Sequence, residues 1–373
     1  MVEILKVDNK KDLERFIEFP HDLYADDPNY VPELKLAQRG LLDKAKHPFF
    51  KHSDADFFLA VDNGKILGRV AAIRNNNYVK FTRKNIGFFG FFEVIDNYEV
   101  ARLLLDTACK WVKEQNFDHI MGPENYSTNE TCGTLIEGFD SPPVVMMTYN
   151  KPYYPEFLEK YGFGKEMDLL AYQFIHKNRP DKLNRLSKLI LERLNKQGII
   201  IRKINLKKFD EEVDNIQKVY NAAWEKNWGF VPMTYEEIKY TAKDLKSIID
   251  PDFVLLAEHE GELVGYSLII PDFNQVLIKL KRGRLFPWGI FKLLYYKNKI
   301  NGVRIITLGL LEKYRKLGID AYFYTQVFEE GLKKGMIKGE ASWILENNEM
   351  MNRAILNTNG TLYKKYRIYK KAL

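Results

Sequence analysis

"KYRKLGIDAYFY" (313–324) is a basic, glycine-bearing turn between an apolar run, "VRIITLGLL" (303–311), and a segment with helical periodicity. Ile319, Phe323, Val327 and Leu332 form the apolar stripe of that segment and predict a helix over 319–334. The first N–H groups of a helix have no intrahelical partner and lie at the positive end of its dipole. Gly318 lets the backbone approach an anion closely. The amides of Lys316, Leu317, Gly318, Ile319, Asp320 and Ala321 are therefore candidates to cradle a diphosphate, with Arg315 and Lys316 adding charge. An ordinary strand-to-helix turn would use the same residues. Asp320 sharpens the choice, because a carboxylate folded back onto the turn would fill the site itself.

Outward from this turn the chain reads as one domain written twice. "ILKVDNKK" (4–11) stands over "IRKINLKK" (201–208), "YVP" (30–32) over "FVP" (230–232), and "LAVDNGKILG" (59–68) over "LAEHEGELVG" (256–265). Leu158 and Gly162 stand over Leu356 and Gly360. These matches share one order and nearly one offset, the mark of a duplication. Each copy predicts a strand (2–7; 199–206), helical segments, and a hairpin turning at Asn63-Gly64 or Glu260-Gly261. Another strand follows (86–94; 303–311), then a helix (98–115; 319–334) and a further strand (119–125; 341–348). Alternating strands and helices around a hairpin give a mixed-sheet α/β domain. "HKNRPDKLN" (176–184) marks the boundary, with a linking helix to about residue 196.

Composition narrows the setting. The chain has 373 residues, with 46% hydrophobic and 14% aromatic content, enough for two packed cores. Two cysteines, Cys109 and Cys132, exclude a disulfide framework and suit a reducing cytoplasm. The N-terminus is charged where a signal peptide is apolar, and no apolar run approaches the ~20 residues that cross a bilayer. A net charge of +7 is too modest to imply DNA. The six histidines show no metal spacing, so no metal is expected.

The second copy resembles the GNAT family of acyl-CoA N-acyltransferases. That family carries [Gln/Arg]-x-x-Gly-x-[Gly/Ala] between its fourth strand and third helix, and the loop here is Arg315-Lys316-Leu317-Gly318-Ile319-Asp320. Asp320 departs from the pattern. The resemblance covers 199–373 through its motifs and 1–175 through the repeat. It implies two GNAT-like domains: 1–175, degenerate and on the acceptor side; 176–198, a linker with the linking helix; and 199–373, with the pyrophosphate loop. It also implies acetyl-CoA or another acyl-CoA as donor, and a small-molecule or acyl-carrier acceptor.

Transfer from a thioester to an amine needs a base, a polarising N–H and an acid for the leaving thiolate. The resemblance places the polarising amide at Leu310 or Leu311. Glu346, ending "WILENN", is the candidate base or a cap for the helix after it; Glu312 and Glu258 are weaker candidates. The family's acid falls on Leu356, so Tyr366 is taken instead, with Tyr363 nearby. In the first copy Ile95, Asp96, Asn97, Tyr98 and Glu99 replace the loop, with no glycine and no base. "GPENYSTNETCGTL" (122–135) offers Glu124, Asn125, Ser127 and Asn129 as a substrate-binding surface or as a capped loop.

The segment 277–299 is basic, aromatic and without a counterpart in the first copy. It is expected to cover the pocket; membrane-surface or acyl-carrier contact is the alternative. The resulting expectation is a cytoplasmic N-acyltransferase, transferring acetyl to an amine of unknown acceptor. A non-catalytic CoA- or ligand-binding regulatory protein, and a Fem-like aminoacyl transferase, are its rivals.

Overall fold

A computed structural model describes the chain except for Arg179 and the side chains of residues 181–185, so the boundary expected at 176–184 falls partly outside the described residues. The first copy contains β1 (Glu3–Lys6), α1 (Lys10–Leu23), α2 (Lys35–Leu41), β2 (Asp54–Asp62), β3 (Lys65–Arg74) and α3 (Asn76–Thr82). It continues with β4 (Ile86–Val94), α4 (Tyr98–Glu114), β5 (His119–Gly122), β6 (Thr134–Glu137), α5 (Tyr154–Lys160) and β7 (Gly164–Ile175). After α6 (Asp181–Lys196) come β8 (Ile199–Lys203), α7 (Phe209–Trp224), α8 (Tyr235–Leu245), β9 (Val254–His259) and β10 (Glu262–Pro271). The insertion holds α9 (Asn274–Leu277) and α10 (Gly289–Lys297). The chain ends with β11 (Gly302–Leu310), α11 (Ile319–Lys333), β12 (Lys338–Leu345), α12 (Glu349–Leu356) and β13 (Thr361–Ala372).

The duplication is written into the strand register. Ala60 is opposite Ile4 and Gly68 in the first copy, and Ala257 is opposite Ile201 and Gly265 in the second. Both glycines are needed for close approach. A Cβ at Gly68 would lie 2.6 Å from Leu104 Cδ1, and one at Gly265 would lie 2.3 Å from Leu310 Cδ2. Near the end of each copy the sequence alignment needs a correction by one residue. The Phe163 N–H donates to Leu158 O across Gly162 at φ +99°, and the Gly360 N–H donates to Ile355 O across Asn359 at φ +63°. Ile355 and Asn359 are therefore the counterparts of Leu158 and Gly162. Asparagine tolerates the left-handed conformation that glycine adopts freely, so identity alone misled the alignment.

Contacts divide the chain into two compact units that are not consecutive halves. The first holds Met1–Leu169, Asn274–Tyr296 and Lys364–Leu373; the second holds Leu170–Phe273 and Lys297–Tyr363. The first unit's sheet runs β1-β2-β3-β4-β5-β13, with β6 also on β13. Its closing strand is thus the end of the chain, antiparallel to β5 with Tyr369 opposite Gly122. The second unit's sheet runs β12-β11-β10-β9-β8. The insertion packs with the first unit, and the glycine loop belongs to the second.

Amphipathic helices close both cores. α4 buries Val100, Leu104, Leu105, Ala108 and Val112 against its sheet. α11 buries Ile319 and Phe323 against Leu255, Ala257, Val264 and Leu310, while Leu332 at its far end is exposed. Each fully buried side chain of this size contributes roughly 1.5–3 kcal/mol. On the other face α7 lays the Trp224 ring against Gly309, where a Cβ would come within 2.3 Å of the ring.

Candidate active site

β11 and β12 run parallel, paired from Gly302–Lys338 to Ile305–Ala341, and the pairing stops there although the strands continue to Leu310 and Leu345. Beyond that point Ile305, Ile306, Thr307 and Leu308 on one strand, and Trp343, Ile344 and Leu345 on the other, are half-buried. Two neighbouring strands that part and leave partly accessible side chains form a fork.

Its apex is charged. Arg304 and Glu340 are directly paired in the register and are 2% and 1% exposed. Arg304 Nε donates to Ser342 Oγ at 3.0 Å, and its guanidinium lies 5.2 Å from the Trp343 ring centroid. Glu340 accepts from the Ser342 hydroxyl through one oxygen and from the Tyr363 hydroxyl through the other. Burial pushes the Glu340 carboxyl above its ordinary range, opposed by the Arg304 charge and by both hydroxyl donors. Tyr363 is half-buried, so this carboxylate connects to accessible surface through a phenol.

At the mouth of the same fork lies the glycine turn. Gly318, at φ +96°, is the N-cap of α11, and no side chain caps the helix there. The first helical bond is from Tyr322 N–H to Gly318 O. Among the described residues no backbone carbonyl meets the amides from Lys316 to Ala321. Asp320 therefore leaves the turn open. Lys316 is exposed and takes φ +69°, so two left-handed residues shape the turn. Successive amides in this conformation, with about half a positive charge at the helix end, fit a diphosphate.

Arg315 is placed differently from expectation. Its guanidinium donates to the carbonyls of Leu310 (3.3 Å) and Ala223 (2.9 Å), clamping the strand end to α7. The Leu311 N–H donates to Val264 O, so the sheet takes up that amide; Leu310 pairs with Gly265 and is buried. Glu312 and Glu258 lie in ion pairs with Lys226 and Arg202. Glu346 is half-buried just beyond β12, and the cap of α12 is Asn348 rather than Glu346. Tyr366 is fully buried in the first unit, where β13 sets it opposite Leu135.

The fork of the first copy is built in the same register and filled. Phe88 and Met121 are opposite each other where the second copy has Arg304 and Glu340, and both are buried. Past the apex the chain after β5 stays on β4: Glu124 N–H donates to Phe89 O at 2.8 Å, and Asn125 Oδ1 accepts from Phe91 N–H. A Cβ on Gly90 would lie 2.1 Å from Glu124 O, so glycine is what admits this segment. Tyr126 then stacks on Phe49 at 4.5 Å.

The surface expected from Glu124, Asn125, Ser127 and Asn129 is thus largely turned inward. Asn125 also donates to Thr131, and Ser127 Oγ accepts from the Asn129 N–H. Glu124 is 2% exposed, its Oε1 meets no partner among the described residues, and burial raises its pKa to about 8. At the mouth, Asn97 caps α4 by accepting from Glu99 and Val100.

Sequence reading missed Arg304, Glu340 and Ser342. A signal was present: parallel strands buried on both faces read as near-continuous apolar runs, and "VRIIT" and "GEASW" each carry a charge inside one. Among the described residues no group of three or more His, Cys, Asp or Glu is placed to hold a metal ion.

No family model matches the chain. It is 32% identical to the bacterial ceramide synthase of Caulobacter vibrioides over all of this chain and 98% of that protein. It is 34% identical to protein YghO of Escherichia coli K12 over 98% of this chain and 94% of that one. Among solved structures, a tandem GNAT protein from the clavulanic acid biosynthesis pathway matches all of this chain and 98% of its own, with a TM-score of 0.59 at 11% identity. The chain has the tandem GNAT fold and belongs to the family of the Caulobacter ceramide synthase and YghO.

Proposed function

We propose that this protein is an N-acyltransferase that takes a long-chain acyl group from acyl-CoA and joins it to the amine of a long-chain amino alcohol. The observation that carries the reading is the open, charged fork of the second copy, with uncapped loop amides at its mouth. The relative named bacterial ceramide synthase supports the acceptor class, since a ceramide is the amide of a fatty acid and such an amine. That acceptor favours a long acyl group over the acetyl group expected from the resemblance. The half-buried Ile305, Ile306, Leu308, Ile344 and Leu345 suit an apolar chain.

The roles follow from chemistry. The amides from Lys316 to Ala321 hold the diphosphate, with Lys316 adding charge. The amine must be neutral to attack the thioester carbon; the C–N bond forms, the C–S bond breaks, and the thiolate takes a proton. Glu340, raised by burial and reached through the Tyr363 hydroxyl, is the proton acceptor, and Tyr363 replaces Tyr366 as the candidate acid. Glu346 at the outer end of β12 is then an anchor for the incoming ammonium.

The test is incubation with palmitoyl-CoA and a long-chain amino alcohol, following amide by mass spectrometry and free CoA thiol by absorbance. Equal amounts of both products are expected. Tyr363→Phe should lower kcat at least tenfold and leave KM for palmitoyl-CoA unchanged. Thiol release without amide, or full activity in Tyr363→Phe, would reject the assignment.

A further inference from the structure

The insertion presents apolar side chains outward. Phe286, Trp288, Phe291, Leu294 and Tyr295 are 60–75% exposed, all within ten residues. Phe291, Leu294 and Tyr295 share one face of α10, and Trp288 packs near Phe291 with ring centroids 6.2 Å apart. Ile290 and Leu293 on its other side are half-buried, so the helix is apolar on both its inner and outer faces. A helix with two apolar faces ordinarily has both covered.

The segment is held firmly in the first unit. Val276 and Leu280 are buried, and Asn274 donates to Pro143 O. Arg282 pairs with Glu18 and Asp22. Gly283, at φ +61°, sits where a Cβ would meet Glu33 O at 1.8 Å. The outward apolar face therefore rests on a fixed base.

We infer that this face docks on the surface of a bilayer rich in anionic lipid. The charge pattern selects that partner. No acidic residue occurs from Phe273 to Leu311, and Lys279, Lys281, Arg284 and Lys292 of the same segment are exposed. Trp, Tyr and Phe are side chains suited to the headgroup boundary, while lysine stems reach past apolar surface to the phosphates. A face of this kind lies on the membrane. No helix among the described residues is long and apolar enough to cross one. The inference stands on the surface alone, whatever reaction the fork performs.

Vesicle flotation tests it. The parent protein should float with phosphatidylcholine–phosphatidylglycerol vesicles, less with pure phosphatidylcholine, and less at high salt. Trp288→Glu/Phe291→Glu should bind anionic vesicles at least tenfold more weakly and melt at the parent temperature, since both side chains are exposed. Lys281→Glu/Arg284→Glu should lose the preference for anionic lipid. Equal flotation of parent and Trp288→Glu/Phe291→Glu would overturn the proposal. So would a parent that ignores anionic vesicles, a dimer in sedimentation that Phe291→Glu dissociates, or binding to an acidic acyl carrier in place of vesicles.

Discussion

The two copies carry the same fork in the same register, and they differ at its apex, between its prongs and at its mouth. At the apex Phe88 and Met121 occupy the places of Arg304 and Glu340. Between the prongs the first copy keeps its own chain, bonded at Phe89 and Phe91, while the second leaves both strands partly accessible. At the mouth a short link and the Asn97 side chain close one helix start, and a longer turn with an uncapped glycine leaves the other open. One scaffold is thus packed shut in one copy and left open in the other. Two opposite charges buried side by side are weak evidence for stability and add little to a fold that an apolar pair supports equally. Their presence in the open copy points to chemistry.

That contrast can be broken first at the apex. Arg304→Met leaves Glu340 buried without its cation and should cost about 3–5 kcal/mol in denaturant unfolding. The double change Arg304→Phe/Glu340→Met, which copies the first fork, should restore most of that stability and yield no amide product. Activity in the double variant would mean that these two buried charges are structural.

The filled fork has its own signature in pH. The Glu124 carboxyl titrates near 8 in the folded chain, against an ordinary value of 4.5. A raised carboxyl gives stability that is fully present below the unfolded value and lost as pH climbs through the folded one. At ~1.4 kcal/mol per pH unit, Glu124→Gln should exceed the parent by a few kcal/mol at pH 8. The advantage should shrink to nothing near pH 4.5. Melting curves from pH 5 to 8.5 check this, and a constant difference would place Glu124 in contact with water or a cation.

The smallest effect belongs to the closed mouth. Asn97→Ala removes the cap of α4 and should cost roughly 1 kcal/mol. It should leave acyl-CoA affinity unchanged, as should Asp96→Ala. A change in affinity with either variant would give the first copy a role in donor binding.

How much of this was legible in sequence depends on the physics of each part. The hairpins and the helix expected over 319–334 follow from local spacing and turn residues, and the structure forms both hairpins and α11 over Ile319–Lys333. The role of Arg315 did not follow, because the carbonyl it clamps at Ala223 is remote in sequence. Tyr366 was misplaced for a related reason: the last strand closes the first unit's sheet, and strand exchange leaves no local mark. The inward turn of Glu124 and Asn125 depends on Gly90, thirty-odd residues earlier, admitting the segment. Long-range pairing decided each miss.

On the proposed function, the second fork alone takes the donor. Isothermal titration of palmitoyl-CoA into the parent and into Gly318→Glu tests it most directly. One site per chain is expected in the parent, and more than a hundredfold weaker binding in the variant, about 2.7 kcal/mol or more. The folded baseline should be unchanged, because a Cβ at Gly318 meets Ile190 at an ordinary 3.5 Å and the left-handed φ adds about 1–2 kcal/mol of strain. Two sites per chain, or undiminished binding by Gly318→Glu, would contradict it.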